Sequence, residues 1–305
     1  MRAGPHVDRV HARRRGRPTL AEHIEAARTS AAEAGFRATA FQVFVAGPRS
    51  LVPALADGEA EELRAYLGAR PELTVLSHGT YLDHPWGGNH YLARFIREEL
   101  AACAQAGIAG LVVHLGKAPA ARVREILPRL LTEHPVLVYL ETPHLLPKNS
   151  HYETPEKLGA LFREVREVDP ELRRFALCVD TAHLWSSGAD IQSYRAAADW
   201  LARLESLAEL LPPSRVAFHL NDSYDARGSG VDHHAPLLQG ELWGRYREEP
   251  AESGLAAFVD YMDRHGSLVI LERGGRGAGA PPAALLEDYA VLARMAPGLR
   301  APGAN

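Results

Sequence analysis

Short, continuous apolar runs alternate with longer amphipathic stretches along nearly the whole chain. A short first strand is predicted over residues 3–7, and an amphipathic helix over 19–34, stopped by Gly35. The run ATAFQVFV (38–45) reads as a buried strand. A helix over 58–67 follows, then a strand over 73–77 that ends at His78. Within residues 89–106, Leu92, Phe95, Ile96, Leu100 and Cys103 recur at helical spacing, and Gly107 closes the segment. GLVV (110–113) is a strand ending at His114; a helix over 120–133 precedes VLVYL (136–140), which ends at Glu141. Thr154-Pro155 supplies an N-cap and a proline at the first helical position, ahead of an apolar stripe of Leu158, Leu161, Phe162, Val165 and Val168. FALCV (175–179) ends at Asp180, a long helix is predicted over 191–210, and the strand 216–218 ends at His219. A helix over 255–265 precedes LVIL (268–271), which ends at Glu272, and a last helix covers 282–295. The Pro/Gly/Ala-rich end, residues 296–305, is expected to be a flexible tail.

Eight strand–helix units without an internal linker imply a parallel sheet with helices over its faces. The predicted fold class is α/β, a (β/α)8 TIM barrel over residues 1–295, with its active site at the C-terminal ends of the strands. A doubly wound open sheet is the alternative, but no Gly-rich phosphate loop follows any strand. No apolar run is long enough to span a membrane, and no apolar core follows the basic N-terminus, so neither a membrane protein nor a secreted one is expected. Cys103 and Cys178 both lie in apolar segments and read as buried thiols of a reducing, cytoplasmic compartment.

The candidate chemistry sits where the strands end. Six successive strands finish in a residue able to ligate a metal: His78, His114, Glu141, Asp180, His219 and Glu272. A lone strand-end histidine is usually a hydrogen-bonded core residue or a helix cap. Six in register are hard to explain that way, and buried carboxylates without cations are costly. His183 follows Asp180 by three residues in VDTAH. Asp232 and His234 alternate in DHH and face the same way if that stretch is extended, which turns His233 elsewhere. These five histidines and four carboxylates are twice what one zinc site needs, and imply two or three ions with a bridging carboxylate. The formal net charge of -4 speaks against nucleic acid as a partner, but three divalent ions would reverse that sign inside one cleft.

The motifs AGPHVD, AFQVFVAGPRS, SHGTYLDH, LVVHLG, LETP, CVDTAH, FHLNDS, GSGVDHH and LVILE resemble the endonuclease IV family of apurinic/apyrimidinic (AP) endonucleases, within the xylose-isomerase-like TIM barrels. The resemblance runs over nearly the whole chain. It implies three zinc ions per chain, with Mn2+ admissible at one position. His78, His114 and Glu141 would hold the first. Glu141 would bridge to a second, shared with Asp180, His219 and Glu272. His183, Asp232 and His234 would hold the third.

The implied reaction is hydrolysis of the phosphodiester 5′ to an abasic site in double-stranded DNA, as in base-excision repair, leaving a 3′-hydroxyl and a 5′-deoxyribose phosphate. Glu141, Asp180 and Glu272 would be the catalytic carboxylates, in a monomeric enzyme. The resemblance also makes Arg49, Tyr81 and Leu82 the DNA-binding residues that push into the duplex, at a cost of a few kcal/mol per unstacked step. Several features depart from the family: His114-Leu115-Gly116 stands where many members have His-Pro-Gly, Asp232-His233-His234 stands where it has Asp-Arg-His, the stretches 143–153 and 240–253 read as longer or rewritten, and a basic insert occupies residues 13–17. The rival reading is a single-metal sugar isomerase or epimerase on the same barrel, which needs only Glu141, Asp180, His219 and Glu272.

Overall fold

The computed structural model describes residues 1–7, 18–82, 85–86, 92–273 and 283–302, so the basic insert at 13–17 lies outside the described residues. The elements follow the predicted alternation: β1 (Arg2–Pro5), α1 (Leu20–Glu33), β2 (Ala40–Val43), α2 (Glu59–Gly68), β3 (Thr74–His78), α3 (Leu92–Ala106), β4 (Gly110–His114), α4 (Ala120–Leu130), β5 (Leu137–Glu141) and α5 (Pro155–Val168). Then come β6 (Phe175–Asp180), α6 (Thr181–Ser186), α7 (Tyr194–Glu205), β7 (Val216–His219), a small ribbon of β8 (Asp222–Ser223) and β9 (His234–Ala235), α8 (Gly254–His265), β10 (Leu268–Leu271) and α9 (Ala283–Met295).

The main sheet is parallel in the order β1-β10-β7-β6-β5-β4-β3-β2. Its two end strands meet. Val7 N donates to Gln42 O (2.7 Å), Thr39 N donates to Ala3 O (3.0 Å), and His6 forms an isolated parallel bridge with Gln42. Gly4 permits this closure, because a Cβ there would lie 1.8 Å from the carbonyl oxygen of Ala40. The sheet is therefore a nearly closed (β/α)8 barrel rather than an open doubly wound one.

Side chains alternate along a strand, and that alternation builds the site. Ala40, Leu76, Val112, Tyr139, Cys178, Ala217 and Ile270 belong to one buried cluster inside the barrel. Two residues further along the same strands come Gln42, His78, His114, Glu141, Asp180, His219 and Glu272. On β1 the same step leads from Gly4 to His6. Every strand thus contributes one polar residue to the top layer of an otherwise apolar interior. The larger core lies between the strands and the surrounding helices. Cys103 and Cys178 are both buried and free, as the sequence led us to expect. Among the described residues no helix is long and apolar enough to cross a membrane.

Three elements depart from the pattern read in the sequence. The helix expected over 191–210 begins only at Tyr194, where Ser193 accepts from Ala196 N as its cap, and gives way to turns after Glu205. Asp180 ends its strand and also starts α6, a short helix hidden in VDTAH, by accepting from His183 N. The chain after α9, expected to be flexible, is docked as far as Ala301. Arg37 N donates to Leu299 O (2.7 Å), Ala301 N donates to Gly35 O (2.9 Å), and Leu299 is 2% exposed. Apolar burial at Leu299 outweighs the composition of the segment. Leu299→Ala should lower unfolding stability by about 2–5 kcal/mol, the usual range for a buried leucine; urea denaturation reads the change, and an unaltered midpoint would mean that the docked end contributes nothing.

Candidate metal centre

Glu141 is completely buried at the end of β5, and both of its oxygens face histidines. Oε2 lies 3.1 Å from His78 Nε2 and 2.8 Å from His114 Nε2. Oε1 lies 2.9 Å from His219 Nδ1 and 3.6 Å from His183 Nδ1. Ligand atoms of His78, His114 and Glu141 all lie within 4.8 Å of one another, and so do those of Glu141, Asp180, His219 and Glu272. One carboxylate thus joins two donor clusters.

A third group lies alongside. His183 Nε2 is 3.3 Å from Asp232 Oδ2, and His234 Nε2 is 2.8 Å from Asp232 Oδ1. The ligand atoms of Asp180, His183 and His234 also fall within 4.8 Å of one another. His183 Nε2, Asp232 Oδ1 and His234 Nε2 are buried and have no hydrogen-bond partner beyond these ion-pair contacts with one another. Buried nitrogens and a carboxylate oxygen paired only among themselves are what a cation of zinc-like preference satisfies.

The outer partners fix which nitrogen each ring turns inward, because a carbonyl oxygen only accepts. His78 Nδ1 is 2.7 Å from Gly79 O and His183 Nδ1 is 2.7 Å from Thr142 O, so those nitrogens carry the proton and Nε2 is left as a donor pair for a metal. His219 is held in the opposite sense. Its Nε2 sits 2.9 Å from Gln42 Oε1, leaving Nδ1 to face Glu141, while the amide of Gln42 donates to Glu272 Oε1 (2.6 Å). Asn221 performs a similar service, donating to Asp180 Oδ2 (2.7 Å) and accepting from Arg273 Nη1 (2.7 Å). Arg273 is itself buried against Asp288, with Nε 2.6 Å from Oδ2.

Burial opposes every charge in this cluster, and the opposite charges overcome it. Burial raises Glu141, but His114 and His219 hold it well below the usual carboxylate range. Burial lowers His183, but Asp180 and Asp232 lift it well above an ordinary histidine. His219 is lifted likewise, against burial, by Cys178, Glu272 and Glu141. Asp232 is driven down by His183 and His234 despite its burial. These shifts favour charged carboxylates and charged imidazoles together, and a divalent ion entering such a cluster competes with the protons on its ligands.

The structure brings all nine expected ligand residues to this one end of the barrel. Asp232 and His234 turn toward each other and His183, whereas His233 is exposed and its Nδ1 turns to Asp225 Oδ2 (3.3 Å). Asp222, another carboxylate of that loop, is instead committed to the backbone, accepting from Ser223, Gly240 and Trp243. Arg49, Tyr81 and Leu82 share one exposed rim. Tyr81 N donates to Pro48 O (2.9 Å), which clips the two loops together. Tyr81 is half exposed, and its ring stacks on His114 at 5.7 Å, so this residue is wall to the metal cluster as well as rim.

Sequence reasoning missed His144, whose ligand atoms cluster with those of His183 and Asp232. Burial and the neighbouring His183 push its ring down to about 4, which keeps it neutral. The available signal was spacing: His144 follows Glu141 by three residues, as His183 follows Asp180.

Comparison with known proteins agrees with this geometry. Residues 29–293 match the model of the xylose isomerase-like TIM barrel family. A probable AP endonuclease of African swine fever virus (isolate Tick/South Africa/Pretoriuskop Pr4/1996) is 39% identical over 259 residues, covering 85% of this chain and 86% of the viral one. Endonuclease 4 of Thermus thermophilus is 35% identical over 211 residues, covering 67% of this chain and 74% of its own. The crystal structure of AsfvAP:AG superposes with a TM-score of 0.89 at 36% identity, over 96% of this chain and 98% of that one. With a barrel of this topology, a donor cluster at its strand ends and relatives at these identities, the chain belongs to the xylose isomerase-like TIM barrels and, among them, to the endonuclease IV family of AP endonucleases.

Proposed function

We propose that this chain is a DNA-repair AP endonuclease that uses three zinc ions to hydrolyse the phosphodiester 5′ to an abasic site, leaving a 3′-hydroxyl and a 5′-deoxyribose phosphate. The observation that carries the reading is Glu141, whose two oxygens face separate sets of histidines. His78, His114 and Glu141 would hold one ion; Glu141, Asp180, His219 and Glu272 a second; His183, Asp232 and His234 a third. Bound there, zinc supplies a Lewis acid for phosphoryl oxygens and a lowered pKa for water.

The protein's own part is positional. Glu141, Asp180 and Glu272 concentrate negative charge where the cations must sit, and Gln42 and Asn221 hold those carboxylates in place through the hydrogen bonds described above. No side chain is required as a proton donor to the leaving 3′ oxygen in this scheme. Tyr81 and Leu82 offer apolar surface at the rim, and Arg49 offers a cation beside them. An abasic nucleotide is cheap to extrude, since it has already lost its base, so a rim of this kind selects for it. His233 is bulky but turned outward to Asp225, so the grip on phosphate at that edge is weaker than an arginine would provide.

A duplex carrying one abasic analogue should be cut once, on the 5′ side of the lesion, and a chelator should abolish the cut. An intact duplex after incubation with the zinc-loaded protein would overturn the reading. Glu141→Gln keeps the shape but removes the charge shared by two clusters. It should reduce incision by at least ~100-fold, the upper end of what lost outer-shell support costs a metal site, with an unchanged circular dichroism spectrum; near-normal cutting by the folded variant would contradict the role given to Glu141.

A further inference from the structure

The geometry points to His144 as an additional protein ligand of the ion held by His183, Asp232 and His234, completing that ion's shell with a fourth side chain. This inference rests on the three-ion reading above. Nδ1 of His144 is buried and makes no hydrogen bond, although the ring as a whole is partly exposed. It lies 3.8 Å from Asp232 Oδ2, and the His144 and His183 rings are 5.0 Å apart. Four buried atoms in this corner, His144 Nδ1, His183 Nε2, Asp232 Oδ1 and His234 Nε2, have no hydrogen-bond partner beyond the ion-pair contacts among these residues, and they belong to four different residues. In a tetrahedral zinc site with bonds of about 2.0–2.1 Å, ligand atoms stand roughly 3.3 Å apart. Asp232 Oδ2 lies 3.8 Å from His144 Nδ1 and 3.3 Å from His183 Nε2, Asp232 Oδ1 lies 2.8 Å from His234 Nε2, and ligand atoms of His144, His183 and Asp232 all fall within 4.8 Å of one another.

The loop that carries His144 is built to hold it there. Leu145 N donates to Ser187 Oγ, and Ser187 Oγ donates to Pro143 O, both at 3.0 Å. Ser187 is buried at the end of α6, the helix that bears His183. On the other side, Gly230 (φ +68°) lets the segment leading to Asp232 pass against Leu146, whose backbone N would lie 2.7 Å from any Cβ at that position. His144 is thus tied to both segments that supply its neighbours.

A closed shell of four protein ligands is typical of a tightly held zinc, whereas three ligands leave a position open for substrate. His144 on a partly exposed loop provides the first arrangement in the free enzyme and can yield its place to a phosphate oxygen. The test compares the full chain with His144→Ala and Asp232→Ala, each loaded with zinc and titrated with a chelator, and each also loaded with cobalt(II), whose visible bands are strong only in tetrahedral sites. His144→Ala should release one ion at a chelator concentration about tenfold lower or more. The cobalt band it weakens should be the one lost in Asp232→Ala. Retention of the ion with the same affinity and an unaltered spectrum would overturn the inference. A wild-type count below three ions would instead defeat the three-ion reading, leaving the shared effect of the two variants to decide the role of His144.

Discussion

A carboxylate buried without access to water is the constraint on which this structure turns. Glu141 is wholly enclosed at the top of the barrel, where an unpaired charge would be prohibitively expensive. The protein resolves this by surrounding it with imidazoles from three other strands, one group on each oxygen. That arrangement is neutral enough to fold, and it is also a preformed cradle for cations. A divalent ion bound between those rings and the carboxylate would exchange one set of polar pairs for another. Stability of the empty barrel and readiness for metal come from the same contacts.

Strand parity does the placing. In a barrel, every second residue points inward, and the last inward position on each strand reaches the open end. The apolar layer of Leu76, Val112, Cys178 and Ile270 supports the polar layer directly above it. Outer partners then decide ring orientation: carbonyl oxygens hold His78 and His183 one way round, and Gln42 holds His219 the other. The rim of Arg49, Tyr81 and Leu82 is joined to this layer through the stacking of Tyr81 on His114, so any contact made at the rim bears on the donor cluster without an intervening element.

Much of this was legible in the sequence because parity and strand ends are local facts. Apolar runs terminated by His78, His114, Glu141, Asp180, His219 and Glu272 announce themselves one strand at a time. The alternation in DHH is local too: His234 Nε2 meets Asp232 Oδ1, while His233 turns to Asp225. What the sequence concealed depends on distant partners. Spacing hints at His144, but only the bond of Leu145 N to Ser187 Oγ fixes its loop beside α6. The bonds of Gln42 and Asn221 to carboxylates 230 and 41 positions away have no local signature. The docking of the end around Leu299 rests on backbone partners at Gly35 and Arg37, of which composition says nothing.

The central claim is that one barrel end holds three ions rather than the single ion of a sugar isomerase. Diffraction from zinc-grown crystals, recorded on both sides of the zinc absorption edge, tests it most directly. The account predicts three anomalous peaks: one among His78, His114 and Glu141, one among Glu141, Asp180, His219 and Glu272, and one beside Asp232. A single peak, confined to Glu141, Asp180, His219 and Glu272, would contradict it.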